Sequence, residues 1–325
     1  MFKQSYTYQD IGLVPTSLST LKSRDDADTL SNFLDIAIEL PLIVAPMRRV
    51  VSLALTKAIY NLTGVVILPH HEDFDEDKRI IREAKLVIPS IPVKGYQSRL
   101  RWISDIGLGT VCINTANGHH ENLRPVMKMA NELGMRVIAG NVGSVEGFKY
   151  LADLGVRAIR VGIGPGAGCT TSIATGIGMG QASLIREIAK SKHAWDTAII
   201  ADGGIKTPGD MVKAIALGAD FVMAGFIFAG SEESPGQVIK FNNKKYKQYA
   251  GEASFAVKRS KKYVEGDETL VPYSGPVANT WHRFEDGLRS AMAYMNARTL
   301  DELRLLPDEN FRLLSHSAKE ERRAQ

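Results

Sequence analysis

A cysteine inside a glycine-rich loop is the first residue whose type and position could do chemistry. Cys169 closes the run GIGPGAGC, and Thr170 and Thr171 follow it. Glycines let a backbone approach a ligand closely, and a thiol becomes a nucleophile where it is accessible and has polar neighbours. The loop therefore predicts a nucleophile, although a structural turn with an inert thiol could have the same composition. Cys112 lies within an apolar run and is expected to be a small buried hydrophobic residue.

A second group of residues could bind a nucleotide. Asp202 precedes Gly203 and Gly204 in the run ADGGI, and Gly225 ends the run DFVMAG. A carboxylate can accept hydrogen bonds from a ribose diol, and glycine amides can bind a phosphate. The alternative is that Asp202 merely begins a helix. The glycine loop before Cys169 matches neither a P-loop nor a dinucleotide-binding fingerprint.

The histidines do not form a metal-binding pattern. His70 and His71 are adjacent, and a regular strand would point them to opposite faces. His119 and His120 follow a glycine turn and are expected in a loop. Since no spacing resembles a zinc site, no catalytic metal of this kind is expected.

Eight short apolar runs predict the strands that position these residues. Each run is nearly continuous in apolar residues, as in parallel strands buried on both faces. The runs are 41–46, 64–69, 85–91, 110–114, 136–142, 158–164, 198–204 and 220–225, with amphipathic helical stretches between them at 122–133, 144–154 and 207–217. This alternation predicts an α/β fold, a (β/α)8 TIM barrel, with a doubly wound sheet as the alternative. In a barrel, Asn114, Asn141 and Asp202 would end strands at the face that carries chemistry.

The remaining segments are expected to complete a single barrel domain over residues 1–325. Residues 1–40 carry no barrel unit and are predicted to wrap the barrel. Residues 231–275 are polar, basic and rich in turn residues, and they predict a flap inserted after strand eight. The pattern turns helical again at 282–296, and residues 315–325 are predicted to be a solvated tail.

Composition and charge exclude several classes of function. The chain is 44% hydrophobic with a formal net charge of +4, and no nucleic-acid-binding module is visible. The basic stretch at 244–262 is either a solvated face or an attraction for a small phosphorylated ligand. No apolar run approaches the ~18 residues of a membrane span, and the first residues are polar, so neither a membrane partner nor a secretory signal is expected. Two cysteines in the whole chain favour a cytoplasmic location.

Several motifs together resemble the family of IMP dehydrogenases and GMP reductases. They are the Cys169 loop, ADGGI, GADFVMAG, AGNV, EESPG, and YVEG followed by YSGPV, and they extend from about residue 8 to residue 303. The resemblance implies a (β/α)8 barrel that binds GMP or IMP, uses NADPH and assembles as a homotetramer.

The resemblance also implies a role for individual residues. Cys169 would attack C2 of the guanine ring, and Thr171 and Glu265 would handle the proton that lets ammonia leave. The implied nucleotide-binding residues are Met47, Asp202, Gly203, Gly204, Gly225, Gly251 and Ser254. The implied cofactor-binding residues are Asn114, Thr115, Ala116, Asn141 and Gly162. A potassium ion could be held by the backbone carbonyls of Gly164, Gly166 and Cys169.

The short link between Ser254 and Glu265 favours one branch of the family. The dehydrogenases carry a longer flap ending in an Arg-Tyr pair and usually carry inserted regulatory repeats, and this sequence has neither. The resemblance therefore implies an NADPH-dependent GMP reductase that forms IMP and ammonia through a cysteine thioimidate. A minimal IMP dehydrogenase, a relative acting on a modified or deoxy purine nucleotide, and a catalytically weak nucleotide-binding protein are the alternatives.

Some positions depart from the family pattern. Asn114 stands where the family usually has Asp, and Ala167 stands where it usually has Ser. Phe226 replaces a small residue near the phosphate, and Arg48 and Arg49 follow Met47 in place of the usual Asp/Gln-Thr pair. These differences bear on which purine nucleotide and which nicotinamide cofactor are used.

Overall fold

The computed structural model describes residues 3–84, 86–250 and 268–323 of the chain. The strands are β1 (Ile11–Leu13), β2 (Ser31–Phe33), β3 (Ile36–Ile38), β4 (Leu42–Val44), β5 (Val65–Leu68), β6 (Ile88–Ile91), β7 (Thr110–Asn114), β8 (Arg136–Val142), β9 (Ala158–Val161), β10 (Ala198–Asp202), β11 (Phe221–Ala224), β12 (Val238–Phe241), β13 (Lys244–Ala250), β14 (Glu268–Pro272) and β15 (Phe311–Leu313). The helices are α1 (Leu53–Asn61), α2 (Phe74–Glu83), α3 (Tyr96–Asp105), α4 (Leu123–Glu132), α5 (Val145–Asp153), α6 (Thr171–Thr175), α7 (Gln181–Ser191), α8 (Pro208–Ala216), α9 (Phe226–Ala229), α10 (Val277–Tyr294), α11 (Leu300–Arg304) and α12 (His316–Arg323).

Strands β4 to β11 form a closed parallel barrel. Each strand pairs with the next in the chain, and β11 pairs back with β4 through the register Met223 to Ile43. Each predicted apolar run contains one of these strands. The predicted (β/α)8 barrel is confirmed, and the doubly wound sheet is wrong because that sheet would leave two unpaired edges.

The strands are apolar throughout because both of their faces are buried. Along β10, Ile199 and Ala201 belong to the layer between the barrel and its helices, whereas Ile200 belongs to the cluster inside the barrel. Side chains alternate along a strand, so the next inward position after Ile200 is Asp202. The same alternation places Arg160 inside the barrel above Ala158, which also belongs to the interior cluster.

The helices begin and end close to the positions predicted from sequence. Thr207 caps α8 by accepting a hydrogen bond from the backbone N–H of Asp210, and Pro208 occupies the first turn. The stretches predicted at 122–133 and 144–154 form α4 and α5. The helix predicted at 282–296 begins earlier, at Val277, and is the 18-residue α10. Among the described segments, no helix combines the length and the apolar character required to cross a membrane.

The N-terminal segment closes the lower end of the barrel in addition to running along its outside. The β2–β3 hairpin buries Phe33 and Ile38 completely, and both join the cluster inside the barrel. The ring of Phe33 packs edge-on against Phe221, the first residue of β11, with 4.8 Å between ring centroids. Residues 1–40 were predicted to wrap the barrel, and sequence reasoning missed this plug.

The C-terminal third also contains structure that the sequence did not predict. Within the predicted flap at 231–275, strands β12, β13 and β14 form an antiparallel sheet, and residues 251–267 lie outside the described residues. The segment predicted as a solvated tail forms the helix α12. Lys319 of this helix pairs with Asp10, which ties the end of the chain to its beginning.

Candidate active site

A cavity of about 450 Å³ opens at the carboxyl ends of the barrel strands. It falls within the size range of small-molecule sites. Every predicted site residue that the structure describes lines it: Met47, Asn114, Thr115, Ala116, Asn141, Gly162, Gly164, Gly166, Cys169, Thr171, Asp202, Gly203, Gly204 and Gly225. Glu265, Gly251 and Ser254 lie outside the described residues.

The loop after β9 presents the Cys169 thiol to this cavity. The backbone N–H of Cys169 donates to the carbonyl of Gly166 at 3.0 Å, which closes a tight turn. The side chain is half-buried, and its thiol donates to the Thr171 hydroxyl at 3.2 Å. The other cysteine, Cys112, is fully buried, and burial raises its pKa to about 11. The two cysteines therefore differ: the Cys169 thiol is accessible and has a hydroxyl neighbour, whereas the Cys112 thiol is buried and protonated.

Glycines let the loops after β9 and β10 pack directly against each other. Gly203 has a φ of +95°, and a Cβ at this position would come within 2.8 Å of the Pro165 ring. Gly162 has a φ of +137°, and a Cβ there would overlap the Asp202 carbonyl oxygen. Side chains rarely adopt such φ values, so glycine is required at both positions. This contact fixes the Cys169 loop relative to Asp202.

The carboxylate of Asp202 is held by a buried arginine that sequence reasoning missed. Arg160 is 7% exposed, and its Nε and Nη2 lie 3.0 and 2.8 Å from Asp202 Oδ2. Asn141 Nδ2 donates to the same oxygen at 2.7 Å. Burial alone would lower the pKa of Arg160, but the charge of Asp202 raises it. Since Oδ2 already accepts from these groups, Oδ1 is the oxygen available to a ligand.

The sequence carried a signal for Arg160. It lies in the apolar run AIRVGIG, whose two faces were predicted to be buried. A buried cation needs a partner, and an inward-facing carboxylate on a neighbouring strand supplies one. Reading the run by its alternation, rather than as one apolar block, would have paired Arg160 with Asp202.

Asn114 and Asn141 form the wall of the cavity at the ends of β7 and β8. Arg160 Nη1 donates to Asn114 Oδ1 at 2.6 Å, so the amide nitrogen of Asn114 is its other polar end. Asn141 Nδ2 also donates to the Gly162 carbonyl at 2.9 Å. The backbone N–H of Asn141 donates to the Thr115 carbonyl at 3.0 Å. This wall therefore offers fixed amide groups close to the Cys169 loop.

The opposite wall, at the ends of β10 and β11, combines glycine with aromatic side chains. Gly204 and Gly225 line it, and a Cβ at Gly225 would overlap the sulfur of Met47. Phe226 meets Tyr249 edge-on, with ring centroids 5.5 Å apart. Both rings line the cavity; Phe226 was named from the sequence as a departure from the family pattern near the phosphate, and Tyr249 was not predicted for the site.

A buried lysine fastens the strand that carries Tyr249. Lys247 on β13 is 2% exposed, and its ammonium donates to the carbonyls of Ser231, Glu232 and Ser234 at 2.8, 3.1 and 2.6 Å. Burial lowers its pKa. Three charge-assisted hydrogen bonds compensate for much of the lost hydration. The sheet is thereby anchored to the loop that follows α9.

Arg48 and His70 line the cavity on its remaining side, after β4 and β5. His70 lies beyond the end of β5, and burial, with the nearby charges of Arg48 and Arg99, lowers its pKa to about 4. His71 turns away, and its Nδ1 lies 2.6 Å from Asp77, which also pairs with Arg99. Within the described parts of the chain, no cluster of three or more His, Cys, Asp or Glu side chains is arranged to hold a metal.

The assembled cavity combines the parts needed for covalent chemistry on a nucleotide. Cys169 supplies an accessible thiol with a hydroxyl beside it, and Asp202 supplies a carboxylate whose Oδ2 is held by Arg160 and Asn141. Two glycines lie at the far wall, and fixed amides lie at the near wall. A carboxylate and a thiol on neighbouring loops of one cavity can bind one part of a ligand and react with another.

Comparison with known proteins gives a consistent result over almost the whole chain. Residues 5–324 match the domain described as IMP dehydrogenase / GMP reductase domain. The chain is 36% identical over 313 residues to a GMP reductase of Oceanobacillus iheyensis, an alignment that covers 92% of this chain and 93% of the relative. It is 35% identical over 312 residues to a GMP reductase of Streptococcus pyogenes, with the same coverage. It is 34% identical over 314 residues to a GMP reductase of Lactobacillus acidophilus, covering 93% and 94%.

Proposed function

The chain belongs to the IMP dehydrogenase / GMP reductase family, an oxidoreductase family, and from that premise we propose that it is a GMP reductase. It would convert GMP into IMP and ammonia with NADPH as the reductant. The observation that carries the proposal is the Cys169–Thr171 pair, 3.2 Å apart, in the cavity that also holds Asp202. Relatives named GMP reductase match along more than nine-tenths of the chain, which favours this branch.

The nucleotide would bind along the loops after β9, β10 and β11. Asp202 Oδ1 would accept from the ribose hydroxyls, because Oδ2 is already bound by Arg160 and Asn141. The phosphate would lie against Gly204 and Gly225, with Gly203 keeping the loop close to the Cys169 turn. Met47 would pack beside the purine, and Gly251 and Ser254 are proposed ligands from the sequence alone.

Cys169 would then act as a covalent catalyst. Its sulfur bonds to C2 of the guanine ring, and the bond from C2 to the exocyclic nitrogen breaks, so ammonia leaves with the proton that Thr171 and Glu265 handle. NADPH, when bound, supplies the hydride that C2 receives. The bond between sulfur and C2 then breaks, which returns the Cys169 thiolate and releases IMP.

The residues at the ends of β7 and β8 fit a nicotinamide. Asn114, Thr115 and Ala116 continue the cavity beyond Cys169, and Asn141 and Gly162 complete this wall. Arg160 holds the amide of Asn114 by its oxygen, so the Asn114 nitrogen would donate to the carboxamide of the cofactor. These residues would orient the ring over C2 and exclude water from it.

A potassium ion, a homotetramer and a cytoplasmic location complete the proposal. The carbonyls of Gly164, Gly166 and Cys169 lie in one tight loop, and hard cations bind such oxygens. The Gly166 carbonyl already accepts from Cys169, which leaves one of its lone pairs for a cation. Activity in potassium compared with sodium, and the mass of the assembly in solution, test the first two.

Two absorbance assays in one plate test the proposed reaction. Loss of NADPH absorbance is expected with GMP, and little formation of NADH is expected with IMP and NAD⁺. The reverse pattern would identify a minimal IMP dehydrogenase. Activity only with dGMP or another modified purine nucleotide would change the substrate. Tight nucleotide binding with no turnover in either assay would contradict the enzyme assignment and favour a binding protein.

A further inference from the structure

Arg48 and His70 form a polar side of the cavity that the proposed reaction leaves without a role. Arg48 follows β4 and His70 follows β5, and both line the cavity. The Cys169 loop follows β9. In the closed order of strands, three strands separate β5 from β9 in either direction, so His70 lies across the barrel mouth from the cysteine loop.

The guanidinium of Arg48 lies close enough to the end of β5 for its charge to act on the two histidines there. Its charge contributes to the lowered pKa of His70 and opposes the raised pKa of His71, and both histidines follow β5. Gly225, on the glycine wall, is covered instead by the sulfur of Met47. Arg48 therefore lies near His70 in the part of the cavity that follows β4 and β5, whereas the Cys169 loop follows β9.

His70 is a neutral neighbour in this region. Its Nδ1 is buried and has no hydrogen-bond partner in the described part of the chain. An unpaired buried acceptor is less costly than a stranded N–H, so the proton belongs on Nε2, and that nitrogen can donate into the cavity. Arg48 and His70 together present hydrogen-bond donors across from the nucleophile.

The geometry of guanine identifies what these donors would meet. If Cys169 attacks C2, the opposite edge of the purine carries O6 and N7, which are two adjacent acceptors. A guanidinium is a planar set of donors that matches this edge, and Arg bound to O6 and N7 is the most frequent specific contact to guanine in nucleic-acid recognition. A 6-amino group at this edge would place a donor against donors.

We propose that Arg48, assisted by His70, reads the O6/N7 edge of the substrate and makes the site selective for 6-oxopurines. This inference rests on the proposed function, because it places C2 at Cys169. It assigns to Arg48 a specificity role at a position where the family usually has Asp or Gln. The acceptor edge selects guanine over 2,6-diaminopurine, which also carries a 2-amino group.

Binding measurements test the inference without requiring turnover. Calorimetry gives the dissociation constants of the full-length protein for GMP, 7-deaza-GMP and the 5′-monophosphate of 2,6-diaminopurine riboside. The wild-type protein should bind GMP about 10- to 100-fold more tightly than either analogue. In Arg48→Met the three constants should converge, whereas Arg49→Met, whose side chain does not line the cavity, should keep the wild-type preference.

Several results would overturn the inference. Equal wild-type affinity for GMP and 7-deaza-GMP would do so without any variant, whether or not Arg48→Met folds. An Arg48→Met variant that loses only the preference for GMP over guanosine would assign Arg48 to the phosphate. A protein that discriminates among the purine nucleotides but does not oxidise NADPH would contradict the proposed GMP reductase activity and leave the role of Arg48 in recognising O6 and N7 standing. Absence of GMP binding would contradict both proposals.

Discussion

The two ends of the barrel interior are built by the same eight strands and are filled in opposite ways. The lower interior is apolar and closed, with Phe33 of the N-terminal hairpin against Phe221. The upper interior is polar and open, with Arg160 bridging Asp202 and Asn114 at the floor of the cavity. On β9, two residues separate the regions: Ala158 belongs to the apolar core, and Arg160 lines the cavity.

This difference assigns stability and function to separate layers. Apolar burial stabilises the lower layer, and any ligand would be far from it. The upper layer holds charges that need one another, because a buried arginine without its carboxylate would be strongly unfavourable. Substitutions in the lower layer should therefore change unfolding and leave ligand binding unchanged, and those in the upper layer should change ligand binding or turnover.

The largest contrast is expected between the two cysteines. Cys169→Ala should lower turnover by ~10³-fold or more, because a covalent catalyst contributes to the chemical step. Its affinity for GMP should stay within about tenfold of the wild-type value, since the thiol adds little to ground-state binding. Steady-state assays and calorimetry measure the two effects.

Cys112→Ala is the control for loss of a buried thiol, at the border of the two layers, since the Cys112 thiol is hydrogen-bonded to Arg160. Removing one buried sulfur should cost about 1 kcal/mol of unfolding free energy and leave turnover near wild type. Turnover of Cys169→Ala above about a tenth of the wild-type rate would contradict the covalent mechanism. A Cys112→Ala variant without activity would show that the two layers are not separable.

Phe33→Ala should produce the largest loss of stability among the lower-layer substitutions. Truncating a fully buried aromatic ring typically costs ~3–5 kcal/mol of unfolding free energy. The dissociation constant for GMP should be unchanged, as measured below the unfolding transition. Phe241→Ala is the control, because Phe241 is 61% exposed and its removal should change stability little. Weakened GMP binding in a folded Phe33→Ala protein would show that the lower layer contributes to ligand binding as well as to stability.

The sequence was sufficient to predict the barrel because the signal was repeated eight times. Each strand is buried on both faces, so each appears as an apolar run, and the runs alternate with capped helices such as α8. The N-terminal plug was not predictable in the same way. The strands β2 and β3 have three residues each, and Phe33 is buried by partners almost 200 residues away in the chain.

Prediction of the site followed similar limits. Cys169, Asp202 and the glycines were found because loop composition and strand ends mark them, and the fold then brings them into one cavity. Arg160 was missed because its partner lies on the next strand of the barrel and only the inward register reveals the pair. Arg48 stands out in the sequence only as a departure from the family pattern, since nothing local to it indicates a cavity.

Asp202→Ala should weaken nucleotide binding by ~2–4 kcal/mol. The ribose hydroxyls would lose a charged acceptor, and Arg160 would lose its carboxylate. The control is Asp220→Ala at the lower end of β11, where Asp220 binds Lys192 at 2.6 Å and the backbone N–H of Ile199 at 2.7 Å. Both variants should unfold more easily, but only Asp202→Ala should bind GMP more weakly. Equal dissociation constants for Asp202→Ala and wild type would refute the ribose role.

The smallest effect is expected from pH acting on the upper layer through His70. Burial, with the charges of Arg48 and Arg99, lowers its pKa to about 4, so the folded protein disfavours the proton that an unfolded chain would bind near pH 6.5. The unfolded state therefore gains protons first as pH falls, and folding becomes weaker. Between pH 6.5 and 5 this amounts to about 1.5 kcal/mol of unfolding free energy.

Urea unfolding at pH 6.5 and 5 measures this loss as a difference between variants. His70→Gln should remove the part of the pH dependence that His70 causes, because glutamine does not titrate. His71 has the opposite sign: Asp77 raises its pKa, so its contribution to stability is fully present below pH 6.5 and is lost as pH rises through the folded value. His316→Gln, at an exposed histidine of α12, is the control and should keep the wild-type slope. If His70→Gln also kept that slope, the neutral state of His70, and with it the donor assigned to its Nε2, would be wrong.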